Sequence, residues 1–367
     1  MSKTKLSTRI VRSGIESDSQ HHAVIPPIYL SSNFAFEEFG KAGKYDYTRS
    51  GNPTRDLLGE ALAELEQGHG AIVTATGMAA VTLVLQLLDP SDLIFAPHDC
   101  YGGTYRLLSQ LKLRGIVNGE FHNQQDDAFI DTILDRKPRG VWSETPSNPL
   151  LRITDIARIA EAAHAVGAIV VVDNTFLSPA LQQPLLLGAD IVIHSTTKYI
   201  NGHSDVVGGA VVAKTAELYE RLKYWANCLG LTASPFDAYL TLRGLRTLKA
   251  RLNLHLANTK AIVRVLGAHA AVRKVHYPGL KDHPGHAIAV KQQSGFGAMI
   301  SFELQDTEEV KAFLAKLRYF SLAESLGGVE SLVAHPASMT HASMDPQARQ
   351  TAGISDGLLR LSVGIED

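Results

Sequence analysis

The sequence predicts an α/β protein in which a large domain with a mostly parallel central sheet precedes a smaller α+β domain. Three features point to it. Between about residues 60 and 245, short apolar runs of strand length alternate with segments of helical period. Runs such as AIVVV at 168–172 are apolar throughout, as strands buried on both faces require. The 367 residues, 45% of them hydrophobic, are more than one ordinary domain needs.

Residues 1–60 hold no sustained period. Pro26-Pro27 and the segment GKAGKYDYTRSGNPTR suggest an extended arm, and a neighbouring subunit is one surface on which it could lie. In the large domain, 61–245, GAIVTAT, SDLIFA, RGVWSE, GAIVVVDN and ADIVIHS read as strands bounded by breakers. GMAAVTLVLQLLDP reads as a helix ending at Pro90, and TDIARIAEAAHAVG as a helix with Thr154 as N-cap and Gly167 as stop. VVGGAVVAK, 206–214, reads as a further strand, at an edge or reversed. PFDAYLTLRGLRTLKARLNLHLANTKAIVRVLG is long, helical and amphipathic and links the domains. In the remainder of 246–367, FGAMISFEL reads as a strand of a second sheet and TEEVKAFLAKL as a helix. SLAESLGG and LLRLSVGIED complete that domain. The chain stops on Asp367 with no helix after the last strand, so a few further residues are expected beyond it.

Composition narrows the partners. With 35 basic and 37 acidic residues, net −2, there is no general electrostatic case for nucleic acid, and no basic tract interleaves with aromatics. Two cysteines, Cys100 and Cys228, are too few for a disulfide framework, lack metal-site spacing and fit a reducing compartment. The opening MSKTKLSTRIVRSG is charged but has no apolar run behind it, so no secretory signal is read. The apolar stretches are too short to cross a bilayer. A soluble cytoplasmic protein with no membrane partner is expected.

Chemistry should collect at the carboxyl ends of the strands, where open α/β sheets bind ligands. Gly77-Met78 sits where a strand passes into a helix, and free backbone N–H groups there suit a phosphate, although a tight turn would also use this glycine. Neither GxGxxG nor GxxxxGK[ST] is present. Asp173 follows four branched apolar residues, a costly place for a carboxylate unless a cation or donor meets it; a turn or cap is the plainer alternative. Lys198 ends the next strand after His194-Ser195-Thr196-Thr197, within reach of the same ligand. Tyr101, in HDCYGGT, could stack on a ring or fill the core. Pyridoxal 5'-phosphate asks for all of this. Its aldehyde needs a lysine, its pyridine nitrogen a carboxylate, and its phosphate hydroxyls and N–H groups. Lys198, Asp173, Ser195, Thr197 and Gly77-Met78 supply those needs.

YDYTRSGNPTR, ATGMAA, SETPSNPL, VDNTF, HSTTKYINGHSDVVGG and ESLGGVESL occur in that order across the chain. In these motifs the sequence resembles the pyridoxal-phosphate enzymes of transsulfuration and methionine metabolism: the cystathionine γ-synthases, γ-lyases and β-lyases and the methionine γ-lyases. The resemblance implies the fold-type I transferase architecture. It implies that Lys198 carries the cofactor, Asp173 holds its ring nitrogen and Tyr101 stacks on the ring. Gly77, Met78, Ser195 and Thr197 would hold the phosphate, with Tyr47 and Arg49 reaching it from the adjacent subunit of a shared-site homodimer, itself half of a homotetramer. Asn148 would lie by the ring face. Arg360, a cation inside the apolar run LLRLSV, would clamp a substrate carboxylate through its planar fork, helped by Ser325.

Two departures narrow the expected activity. Gly103 stands where methionine γ-lyases carry cysteine, and Glu324-Ser325-Leu326 stands where β-lyases typically read Tyr-Ser-Trp. Glu324 and Asp46 leave carboxylates that look like those of γ-synthases and γ-lyases and could hold an amino-acid ammonium. Overall likeness favours γ-replacement, joining O-succinylhomoserine (or O-acetylhomoserine) to cysteine. A γ-lyase is the alternative, and an O-acyl-homoserine sulfhydrylase the next.

Overall fold

Seven strands build the first sheet of the computed structural model, which describes residues 4–342, 344 and 346–367. They are β1 (Gly70–Thr74), β2 (Leu93–Pro97), β3 (Asn118–His122), β4 (Gly140–Glu144), β5 (Ile169–Asp173), β6 (Ile191–His194) and β7 (Gly209–Ala213). Their order is β1-β7-β6-β5-β4-β2-β3. From β6 to β3 the neighbours are parallel, whereas β7 runs antiparallel to both β1 and β6. VVGGAVVAK is thus reversed but interior. Along the strands, Val141, Val170, Val172 and Val212 join one core, while Trp142, Val171, Ile193 and Val211 join another. Both faces of the sheet are buried, which is why these strands read as unbroken apolar runs.

A second sheet takes β8 (Lys274–His276), β9 (Met299–Glu303), β10 (Ser321–Leu322), β11 (Leu332–Ala334) and β12 (Leu358–Ser362) in the order β10-β11-β12-β9-β8. It is antiparallel apart from the β10–β11 pair. Its own core gathers Val263, Ile300, Phe302, Leu359 and Leu361.

The linking segment is two helices, Pro235–Leu245 and Leu248–Ala268. Packing breaks it. Gly244 lies so close to the Asn201 carbonyl that a Cβ would stand 2.0 Å from its oxygen. The Gly244 carbonyl, released from the helix, accepts from Arg251 Nη2 at 2.9 Å and Thr247 Oγ1 at 3.0 Å. In the second helix Leu252 belongs to the first core and Val263 to that of the second sheet, so it does span between them.

Other local differences have local reasons. The helix Ile156–Ala165 is capped by Asp155, whose carboxylate accepts from Arg158 N–H, because the Thr154 hydroxyl is taken by Gln125. A short helix, Leu6–Arg12, lies within the supposed arm, and the helix Pro53–Glu66 already packs Leu58 and Leu62 into the first core. Irregular structure therefore runs from about residue 13 to Asn52, the N-cap of that second helix.

Candidate active site

The carboxyl ends of β1, β4, β5 and β6, together with the loops around Tyr101, Ser325 and Thr340 and the strand β12, enclose a cavity of about 390 Å³. Gly77, Met78, Tyr101, Asn148, Asp173, Ser195, Thr197, Lys198, Glu324, Ser325 and Arg360 all line it. Residues separated by nearly the whole chain meet here.

On the β1 side the helix Gly77–Leu85 points its N-terminus at the cavity. Its N-cap Thr76 accepts from Ala79 N–H at 2.8 Å, and the Thr76 carbonyl takes Ala80 N–H. The N–H groups of Gly77 and Met78 keep no intrahelical acceptor, as the first turn of any helix must leave them. Gly77 leaves little room for a side chain, since a Cβ would stand 3.0 Å from Ser195 Cβ. Thr197 Oγ1 exchanges hydrogen bonds with the Gly208 backbone at 3.0 and 3.2 Å, so its orientation is set. Hydroxyls, free N–H groups and a helix N-terminus together suit a phosphate.

Asp173 ends β5 with Thr175 N–H donating to its Oδ1 at 3.0 Å. Burial pushes its carboxyl up, against the pull of the Thr175 hydrogen bonds and the nearby His194 charge. Directly opposite in the β4–β5 register stands Glu144, which accepts from Tyr101 N–H at 2.8 Å. Burial, reinforced by Asp173, pushes Glu144 well above the usual carboxylate range. Tyr101 itself is 44% exposed and faces the cavity, which excludes the core-tyrosine alternative. Gly103 makes room for its ring: a Cβ there would come within 2.6 Å of Tyr101 Cε1 and 2.7 Å of Met78 Sδ.

Lys198 Nζ donates to Ser325 Oγ at 2.8 Å. Burial, then the charge of Arg360, pushes its amine down to about 8. Arg360, buried in β12, donates from Nη1 to Asn148 Oδ1 at 2.8 Å and from Nη2 to Ser325 O at 3.0 Å. Its Nε has no partner, and among the described residues no carboxylate pairs with it. Burial pushes this guanidinium down to about 10. A buried, unpaired guanidinium is costly and calls for an anionic ligand. Ser325 bridges amine and guanidinium from a left-handed backbone, φ +84°, a conformation that clusters at functional sites.

Asp46, Tyr47 and Arg49 stand apart. They are exposed and do not line this cavity; Arg49 Nη1 instead donates to Asn227 O at 2.8 Å, beside the helix Ala216–Leu229. Hydrogen bonds from Ser50 and the Tyr47 N–H hold the Asp46 carboxyl below its ordinary range.

The site also holds residues the motifs do not single out. Glu144 carries the same strand-end signal as Asp173, within SETPSNPL. Thr175 orients Asp173 and takes Ser195 N–H on its hydroxyl at 2.9 Å. Thr340 lines the cavity, and the neighbouring buried His341 contacts the Asn148 carbonyl through Nε2 at 3.1 Å. Neither of the last two has a local signal; only the fold brings them in.

A helix-end phosphate cradle, a buried carboxylate, an aromatic ring and a lysine with lowered pKa in one cavity are the donor set that pyridoxal phosphate requires. The model of the Cys/Met metabolism PLP-dependent enzymes matches residues 7–367. The cystathionine γ-synthase of Escherichia coli (strain K12) is 54% identical over 365 residues, 99% of this chain and 95% of that protein. A cystathionine β-lyase of Coxiella burnetii is 46% identical, with 99% and 95% covered. The crystal structure of cystathionine γ-synthase from Xanthomonas oryzae pv. oryzae in complex with cystathionine superposes with a TM-score of 0.98 at 62% identity, again covering 99% and 95%. The chain belongs to the Cys/Met metabolism family of PLP-dependent enzymes.

Proposed function

We propose that this protein is a cystathionine γ-synthase, which joins an O-acylated homoserine to the thiol of cysteine. Identities of 54% and 62% to γ-synthases over nearly the whole chain carry the choice of reaction, and the chain Lys198–Ser325–Arg360, in which one residue holds both an amine and a carboxylate clamp, supports an α-amino-acid substrate.

Each side chain then has a task. Arg360 grips the substrate α-carboxylate with the fork it now lends to Asn148 and Ser325, placing the α-carbon beside Lys198. Gly77, Met78, Ser195 and Thr197 would hold the phosphate, Tyr101 would stack on the ring with Asn148 at its face, and Asp173 would keep the ring nitrogen protonated. Bound there, the cofactor supplies an electron sink for charge developing on substrate carbon. The Lys198 amine, with a pKa of about 8, is close enough to neutral at physiological pH to take the α-proton and to move a second proton at the neighbouring carbon. Glu324, at the rim of the cavity, receives the ammonium of the incoming cysteine, with Asp46 of a second copy. The thiol is the substrate's: Cys100 is buried with its own thiol pushed well up by burial, and the exposed Cys228 does not line the cavity.

We also propose a shared-site homodimer, paired into a homotetramer; the position of Tyr47 and Arg49 outside their own chain's cavity supports the shared site. Leu30, Phe36 and Phe39 on the same arm are 68%, 56% and 106% exposed, apolar surface that a second copy would cover. We divide the chain into the arm at 1–60, whose last residues already enter the core helix Pro53–Glu66, a cofactor domain at 61–245 and a C-terminal unit at 246–367. No helix among the described residues is long and apolar enough to cross a membrane. The two free cysteines suit a cytoplasmic location.

The decisive assay incubates the enzyme with O-succinylhomoserine and cysteine, and separately with cystathionine. Cystathionine should form faster than 2-oxobutanoate is released. Rapid cleavage of cystathionine with negligible synthesis from either homoserine ester would make the protein a γ-lyase.

A further inference from the structure

Beside the cavity, the turn that carries Asn148 is tied to a single buried carboxylate. Asp99 lies in the loop that follows β2 and reaches the cavity at Tyr101, and it is 1% exposed. Its Oδ2 accepts from Ser147 Oγ at 2.6 Å and from Arg152 Nη1 at 2.8 Å. Ser147 and Arg152 are the two feet of the turn. Ser147 N–H donates to Arg152 O at 3.0 Å, and Arg152 N–H to Ser147 Oγ at 3.3 Å. Between them Leu151 stands in the left-handed region, φ +56°, where a bulky residue stays only if its surroundings hold it. Asn148 is the member of this turn that lines the cavity, and its Oδ1 accepts from Arg360 Nη1 at 2.8 Å.

The same ion pair reaches the second sheet. Arg152 Nη2 donates to Ala352 O at 2.8 Å, and Ala352 packs with Leu150, Ile354 and Leu358, the first residue of β12. Arg360 lies further along that strand. Asp99, Ser147 and Arg152 do not line the cavity, so none of them touches substrate. Taking a carboxylate out of water is costly, and Asp99 offsets that cost only while both donors stay in place. The turn is thereby held in one arrangement, with Asn148 aimed at Arg360 and the approach to β12 anchored behind it. A brace needed for stability alone could be apolar, since apolar replacement of a buried ion pair is often neutral or stabilising.

We propose that Asp99, acting through Ser147 and Arg152, is a positioning residue that aims the Asn148–Arg360 fork at the substrate carboxylate. Its role rests on the reading of Arg360 as the carboxylate clamp, made above. Asp99→Asn weakens the hold on both feet of the turn. Ser147→Ala removes one hydrogen bond and leaves the Asp99–Arg152 pair in place.

The test titrates the pyridoxal-phosphate-loaded wild type and both variants with glycine and with glycinamide, which lacks the anionic carboxylate, and follows the cofactor absorbance. Wild type should bind glycine more tightly than glycinamide. Asp99→Asn should weaken glycine binding about tenfold and Ser147→Ala about threefold, with glycinamide binding unchanged. In an Arg360→Ala background neither substitution should weaken glycine binding further, because the fork they act through is gone. Wild-type discrimination in Asp99→Asn, equal weakening of both ligands, or a further loss on top of Arg360→Ala would leave only a structural brace and overturn the proposal. Should Asp99→Asn fail to fold, Ser147→Ala decides by the same readings. A wild type that takes up no pyridoxal phosphate, or that binds glycine and glycinamide alike, would sink the reading of Arg360 and this proposal together; unchanged variants on a discriminating wild type sink this proposal alone.

Discussion

At the scale of single residues the site is organised around Lys198, whose burial has a thermodynamic consequence. Its amine falls to about 8 in the fold, against about 10.4 in an unfolded chain. Below pH 8 both states hold the proton, and the folded state carries the full cost of the buried charge. Between pH 8 and about 10.4 the folded state sheds its proton first, so stability rises with pH, and above that window the cost is gone. Lys198→Met should therefore make the cofactor-free protein more stable than wild type at pH 7, by up to about 3 kcal/mol. Urea unfolding should show the gap narrowing from pH 8 to 10; a gap independent of pH would contradict the burial argument. Arg360 faces the same cost but cannot discharge at neutral pH, which is why a buried guanidinium held only by neutral acceptors, with its Nε unpartnered, reads so directly as a carboxylate site.

The strands and helices show how much of this was legible beforehand. The strand runs are legible because both faces are buried, and Asp173 is legible as the polar residue that ends β5; Lys198, expected at the end of the next strand, lies instead in the turn after β6, which ends at His194. The edge strand β3, NGEFH, passed unnoticed because it is half polar and only partly buried. Arg360 was legible as a lone cation in an apolar strand, whereas Thr340 and His341 enter only through tertiary packing. The helical break after Leu245 has no strong local signal either, since it is set by Gly244 meeting Asn201. That contact can be tested. Gly→Ala within a helix ordinarily stabilises by about 1 kcal/mol. Gly244→Ala should instead destabilise by about 1–2 kcal/mol, because the new methyl collides with backbone. It should also lower kcat by displacing the segment that follows Lys198. A higher urea midpoint would show that Asn201 yields easily.

Over the whole molecule, the site exists because the two sheets dock. Gly327, at φ +76°, brings the Ser325 loop so close to the Lys198 turn that a Cβ would lie 2.7 Å from Tyr199 N, and its N–H donates to Ser362 Oγ at 2.8 Å. Arg360 from the second sheet thereby meets Asn148 and Ser325 beside Lys198. Assembly should complete the site. Mixing Arg49→Ala with Lys198→Ala subunits should restore part of the activity, since a hybrid dimer holds one intact site. No recovery despite demonstrated subunit exchange would show that each chain works alone. The proposed chemistry needs Lys198 as the point of cofactor attachment. Borohydride reduction of the pyridoxal-phosphate-loaded protein, followed by peptide mapping, should place the pyridoxyl mass on Lys198; a label on Lys214 or any other lysine, with Lys198 unmodified, would contradict it.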